Sequence, residues 1–260
     1  MTVEKHTKKM YDQFGEEYQR SREEKRPERA YNEFLEVPAM IKAVGDIKGK
    51  KLLDIGCGAG VHAKKYLAKG AIVEGIDISR TMIELAKKNC PKAKFKVGTL
   101  RKLSYNNSSF DIVTGSLCVD YLNSKEMNVT FKEVNRVLKK KGLFIYSNES
   151  PINAARESYE NKNFKIKVAG TILFKKTGRK ISFGSAFEDW IVEWEMVPGM
   201  LMKTYKHTFR TQLLALGKAG FELIDFIDCK PVPAFKKYSP KEYNTFIKFP
   251  LFSIYVSRKK

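Results

Sequence analysis

Three glycines within five residues, directly after an apolar run, constrain this chain more than any other feature: Leu52-Leu53-Asp54-Ile55-Gly56-Cys57-Gly58-Ala59-Gly60. Glycine reaches positive-φ backbone that other residues avoid, so such a loop can turn sharply out of a strand and let a ligand approach the main chain. After it, residues 61–69 read as a helix, AIVEGID as a second strand, and SRTMIELAKKN as a helix with Ser79 at its N-cap. FKV (95–97) and FDIVTGSL (110–117) are further strands. KEMNVTFKEVNRVLKK is a helix ended by Lys141-Gly142, and LFIYSN is a fifth strand. Short apolar strands alternating with helices predict a parallel sheet with helices on both faces.

The flanks are different. The first 45 residues read as helices, with Tyr11, Phe14 and Tyr18 on one face. Residues 151–205 hold a predicted hairpin, TILFKKTGRKISF, turning at Thr177-Gly178. They also carry Phe164, Phe174, Phe183, Phe187, Trp190 and Trp194, too many aromatics for a solvated loop. The last part reads as the helix TFRTQLLALGKAG, the strand FELIDFIDC, a Pro-rich loop PVPAFKKYSP and a final strand FPLFSIYVS. Two strands joined by such a loop pair antiparallel more readily than parallel. The expected organisation is an N-terminal helical extension (1–49), a nucleoside-binding sheet core (50–150), an inserted cap or lid (151–205) and a C-terminal completion of the sheet (206–260).

Bulk composition limits the function classes. Hydrophobic residues make up 43% of the 260, enough for a sizeable core. No apolar run reaches the length of a membrane span, and the N-terminal ten residues lack the apolar centre of a signal peptide. Cys57, Cys90, Cys118 and Cys229 form no CxxC pair, which argues against a metal site or disulfides and suits a cytoplasmic location. The net charge of +20 is spread along the chain, with excesses of +1, +9 and +10 over residues 1–50, 51–150 and 151–260. Lysine, not arginine, supplies most of it; that favours general solvation over a nucleic-acid face while keeping RNA as an alternative partner.

A strand, a glycine loop, a helix and an acid ending the next strand bind a nucleoside, and Asp77 is placed to accept hydrogen bonds from ribose hydroxyls. The dinucleotide fingerprint spaces its glycines G-x-G-x-x-G, whereas here they run Gly56-x-Gly58-x-Gly60 with Asp54 beside them. An acid there repels a pyrophosphate but can receive a cationic α-amino group, as carried by S-adenosyl-L-methionine. DIGCGAG followed by GIDIS, SSFDIVTGSL and EVNRVLKKKGLFIYS resembles, in order, the motifs of class I S-adenosylmethionine-dependent methyltransferases, and the longer phrases resemble their type 11 small-molecule subgroup. The likeness is close over residues 50–150 and weak in the insertion.

The resemblance implies a Rossmann-like seven-stranded, mostly parallel sheet with the last strand antiparallel. It implies that Asp54, Gly56, Gly58 and Gly60 hold the methionine end, that Asp77 holds the ribose, and that Ile78 and Leu100 flank adenine. Ser116 would lie by the amino-acid group. The chain departs from the family at Thr99, where an Asp commonly reaches the adenine amine, and at Asp120-Tyr121, where His-Tyr is usual.

Methyl transfer needs alignment first and a base only if the acceptor must lose a proton. Candidates for that chemistry are Asp120 and Tyr121 after the fourth strand, Glu149 at the end of the fifth, and His207 (with Lys206) before the last long helix. Tyr11 and Tyr18 are placed either to close over the cofactor or to dock the helical extension. Cys118 lacks a Pro-Cys context and reads as a buried thiol. The leading expectation is methylation of a small molecule. An RNA methyltransferase, a non-catalytic S-adenosylmethionine-binding protein and an NAD dehydrogenase stand as alternatives.

Overall fold

The run KLLDI has apolar side chains pointing both ways, which a strand satisfies only between two neighbours and two covering layers. In the structure, a computed structural model that describes residues 2–24, 30–151, 167–168, 171–172 and 190–260, it forms β1 (Lys51–Ile55) within a seven-stranded sheet. β2 (Ile72–Asp77), β3 (Lys94–Val97), β4 (Phe110–Ser116) and β5 (Leu138–Glu149) follow. Two short pieces, β6 (Lys167–Val168) and β7 (Thr171–Ile172), pair with each other, and β8 (Trp190–Glu195) pairs antiparallel with β9 (Leu201–Lys206). β10 (Phe221–Asp228) and β11 (Phe252–Lys259) complete the large sheet, ordered β10-β11-β5-β4-β1-β2-β3. β1 to β5 are parallel, while β11 is antiparallel to both its neighbours. This is the Rossmann-like arrangement that the alternating pattern and the resemblance imply.

The helices are α1 (Val3–Glu23), α2 (Val37–Ala43), α3 (Val61–Ala68), α4 (Arg80–Asn89), α5 (Ser124–Val137), α6 (Phe209–Lys218), α7 (Pro233–Tyr238) and α8 (Pro240–Lys248). They divide the core in two. Leu52 of β1 joins Val73, Tyr66, Met40, Phe235 and Phe246 on one face of the sheet. Leu53 and Ile55 join Phe131, Phe144, Tyr146 and Tyr255 on the other. No helix among the described residues is long and apolar enough to cross a membrane.

Ser79 caps α4 as its position predicts, its hydroxyl accepting the Met82 N–H. Two local expectations need correcting. The helix expected through Lys140 stops at Val137, because Leu138 is extended (φ −73°, ψ 140°), fully buried and paired with Phe110; a strand partner outweighs the helical pattern of the last turn. The Pro-rich stretch is two helices, α7 and α8, each with a proline in its first turn, where its missing N–H costs nothing. They bury Phe235 and Phe246 against Tyr31, and Phe34 stacks on Phe235. In the insertion the described hairpin is β8–β9, turning at Pro198-Gly199; Gly199 has φ 82°. The hairpin expected over 171–183 lies outside the described residues apart from Thr171 and Ile172, as do Phe164, Phe174, Phe183 and Phe187.

The β8–β9 hairpin meets α1 above the C-terminal edge of the sheet. Met10, Met196, Val197, Met200 and Met202 form a third cluster, bordered by Tyr11, Phe14, Tyr18, Tyr121 and Trp194. The face shared by Tyr11, Phe14 and Tyr18 is therefore a docking face, and it meets the turn that follows β4, where Tyr11 touches Tyr121.

Candidate active site

The loop after β1 leaves the sheet through three left-handed glycines, Gly56 (φ 62°), Gly58 (φ 50°) and Gly60 (φ 83°). Gly56 passes against the β4 side of the site, where a Cβ would lie 2.5 Å from the Cβ of Cys118. Gly56→Ala combines that clash with a disfavoured φ and should cost about 2–4 kcal/mol, seen as a lower thermal unfolding midpoint; an unchanged midpoint would contradict the loop geometry. At Gly58 a Cβ would meet nothing within 4 Å, so the backbone there faces open space. Cys118 is buried and burial pushes its thiol pKa well up, as expected of an inert packing residue.

Two acids frame this loop. Asp77, at the end of β2, accepts the Gly58 N–H and the Ser79 N–H on separate carboxylate oxygens, each at 2.9 Å. Each oxygen keeps a lone pair for another donor. Burial pushes its pKa up, with the N–H groups of Ser79, Gly58 and Ile78 pulling the other way. Asp54, in β1, is 2% exposed; its Oδ1 accepts the Thr114 hydroxyl at 3.1 Å and its Oδ2 is buried without a hydrogen-bond partner. Burial holds its carboxyl at about 6, against the opposing charge of His62 and the Thr114 bond. An orphaned buried carboxylate oxygen beside an open glycine backbone suits an incoming cation, and two acceptor oxygens on Asp77 suit a vicinal diol. The α-ammonium and ribose of S-adenosylmethionine fit these groups.

Sequence reading missed the residue that ties the site together. Glu36, in a wide turn over Asn32–Glu36 just before α2, is fully buried and accepts three hydrogen bonds: from His62 Nε2 (3.0 Å), Ser116 (2.8 Å) and Ser147 (2.6 Å). Burial alone would raise its pKa, but the His62 charge and bond and the two serine hydroxyls together hold it down. His62 is raised in turn; burial opposes this, while Glu36 and Asp54 favour the imidazolium. Ser116, expected beside the amino-acid group, is thus part of this hub at the end of β4. Its one sequence signal is an acid inside the apolar run FLEVPAM. Tyr18 lies edge-on to Tyr11 at 5.7 Å and accepts a hydrogen bond from Arg22 at 3.2 Å.

On the nucleoside side, Ile78 and Leu100 are half-buried, and Leu100 packs against the Leu53–Ile55 core. Thr99 donates to the Glu4 carboxylate of α1 at 2.6 Å, and Arg101 pairs with the same acid and with Glu126 at 3.3 Å. Asp12 of α1 accepts from the Ser79 hydroxyl (2.7 Å) and the Arg80 N–H (2.9 Å), so α1 is fastened across the start of α4.

The catalytic candidates converge further along the same edge. Asp120, Glu149 and His207 line one small cavity with Ser150, Pro151 and Lys206. Lys206 forms an ion pair with Glu149. Burial holds Asp120 at about 6 despite the charges of Lys206 and His207, and lowers Lys206 to about 8 despite Asp120. His207 Nε2 lies 2.8 Å from the Leu122 carbonyl and so donates to it. Tyr121 sits just behind, 3.1 Å from the Tyr11 hydroxyl, which burial and Tyr121 push well above its ordinary pKa. Tyr11 thereby links α1 to this cluster and is held protonated.

Residues 53–146 match the family described as "Methyltransferase domain". A protein of Haemophilus influenzae with no assigned function is 35% identical over 150 residues, spanning 53% of this chain and 58% of that one. The ubiquinone biosynthesis O-methyltransferase of Pelagibacter ubique is 34% identical over 117 residues, 44% of this chain and 46% of the relative. The chain thus spans about half the length of the curated relatives it matches. Among solved structures, an S-adenosylmethionine-dependent methyltransferase from Listeria monocytogenes described as putative superimposes with a TM-score of 0.67 at 24% identity, covering 86% of this chain and 96% of that one. At that identity the likeness is one of fold.

Proposed function

We propose that the protein is a class I S-adenosylmethionine-dependent methyltransferase, as the match of residues 53–146 to a methyltransferase domain supports, and that it methylates a small molecule held at the Asp120–Glu149–Lys206–His207 cavity. Bound at the glycine loop, S-adenosyl-L-methionine would supply a methyl group already activated by a sulfonium. In this reading Asp54 and the Gly56–Gly60 backbone hold the methionine end, Asp77 the ribose, and Ile78 and Leu100 the adenine. The α1 helix and the part of the 151–205 lid formed by β8 and β9 exclude water. The acceptor's nucleophilic atom loses its proton to Asp120, whose carboxyl near 6 suits a base working around neutral pH. Glu149 and Lys206 orient the acceptor. A cytoplasmic setting agrees with four buried, free cysteines.

The observation that carries the reading is the orphaned Asp54 oxygen beside the left-handed glycine loop. A small-molecule acceptor is supported by the relative named for ubiquinone biosynthesis; RNA is the alternative, favoured by the net charge of +20. Methyl-labelled S-adenosylmethionine, incubated with the protein plus a metabolite extract or plus total RNA, tests both. Label is expected in the small-molecule fraction, with S-adenosylhomocysteine as product, and Asp120→Asn should lower turnover about 100-fold or more. Label in RNA would replace the acceptor assignment. Absence of label and of S-adenosylhomocysteine binding would sink the function.

A further inference from the structure

The chain carries 49 lysines and arginines against 29 acids, so a cavity lined at random would be basic. The cavity at the C-terminal edge of the sheet reverses that sign. Among the described residues its lining holds two carboxylates, Asp120 and Glu149, and one ammonium, Lys206. Lys206, the last residue of β9, is engaged by Glu149, the last residue of β5. His207 spends Nε2 on the Leu122 carbonyl, 2.8 Å away. The excess negative charge therefore falls on Asp120, which is 8% exposed and whose Oδ1 is buried without a hydrogen-bond partner. A buried carboxylate in that state is costly until a donor, and best a cation, meets it.

That oxygen selects the chemistry of what enters. A carboxylate or phosphate would meet two acids, so a polyanion has the wrong sign for this cavity although the chain as a whole is basic. A neutral hydroxyl would donate to Oδ1 but leave the excess charge in place. An ammonium satisfies both. Resting on the methyl-transfer reading above, we propose that the acceptor is an amine, that it enters as an ammonium ion with an N–H on Asp120 Oδ1, and that the methyl group goes to its nitrogen. The ammonium gives one proton to Asp120. The freed nitrogen lone pair then forms the N–C bond as the S–CH3 bond breaks, the electrons of that bond staying on sulfur. The products are a methylated ammonium and S-adenosylhomocysteine, and Asp120 returns its proton to water. Lys206, on the same wall, disfavours a second positive charge and so eases the proton loss.

Propylammonium, propanol and propionate, titrated by ligand-observed NMR into the S-adenosylhomocysteine complex at pH 7, probe the cavity directly. At that pH Asp120, at about 6, is mostly ionised and Lys206, at about 8, mostly charged. Propylammonium should bind in preference to the other two. Asp120→Asn should weaken it about 10-fold or more, and Lys206→Met should tighten it by removing the competing cation; a merely structural lysine would give the opposite sign. Retained S-adenosylhomocysteine binding shows that each variant is folded. Preference for propanol or propionate, binding of none of the three, or weakening by Lys206→Met in a folded variant overturns the proposal. In the labelled-extract assay the methylated product should be retained by a cation exchanger, and a neutral or acidic product would equally overturn it. If the native protein failed to bind S-adenosylhomocysteine, the methyl-transfer reading itself would fall.

Discussion

Asp54→Asn is expected to bind S-adenosylhomocysteine about 100-fold more weakly than the native protein while unfolding at an equal or higher temperature. Asparagine keeps an oxygen for the Thr114 hydroxyl and removes a charge that has no partner of its own. Lost attraction to a buried ammonium accounts for the affinity, roughly 3 kcal/mol. The stability gain follows from burial. Asp54 titrates at about 6 in the folded chain against 3.8 for an ordinary aspartate, so the folded state binds the proton more tightly than the unfolded one. Its contribution is complete below pH 3.8 and is lost as pH rises through 6, a fall of about 3 kcal/mol. The asparagine variant escapes that fall and should therefore gain on the native protein above pH 6. Calorimetry and thermal unfolding across pH 4–8 check both halves; a variant that is less stable and still binds would show that Asp54 is structural.

Glu36→Ala should be the most destabilising single change at the site. It leaves an imidazole and two serine hydroxyls facing an empty, fully buried position, and breaking one side of a buried ion pair costs about 3–5 kcal/mol. For a chain of this size that is a drop of roughly 6–20 °C in the unfolding midpoint. The pH dependence has a definite shape. Glu36 is held below its ordinary 4.5, so its contribution is present above 4.5 and fades as pH falls through the folded value. His62 is held above its ordinary 6.5, so its contribution is complete below 6.5 and fades as pH rises through the folded value. The difference between native and Glu36→Ala should thus be widest between pH 4.5 and 6.5. A difference that grew steadily toward pH 9 would rule out the ion pair as its source.

The order β1–α3–β2–α4 was legible because each step is local. The strand runs, the glycine spacing, the Ser79 cap and the acid ending β2 all lie within a 30-residue stretch and obey short-range rules. Asp120, Tyr121 and Glu149 were named by a slightly longer rule, that loops at the C-terminal edge of a parallel sheet face the ligand, and His207 by its place before the last long helix. Glu36 obeys no such rule: its partners are 26, 80 and 111 residues away, and no periodicity encodes them. The Pro-rich segment was misread for a different reason, since proline both ends helices and begins them, and only the buried Phe235 and Phe246 show which applies.

The position of β11 bears on how this chain is made. β10 touches the large sheet only through β11, and β11 lies between β10 and β5. While the chain emerges from a ribosome, β1 to β5 can assemble early, yet β5 keeps an open edge, and β10 stays unpaired, until residues 252–259 have been synthesised. Two unsatisfied strand edges in a growing chain invite pairing with neighbours on the same message. One eight-residue segment closes both at once, so a frameshift or nick just before Phe252 would expose twice the sticky backbone that its length suggests.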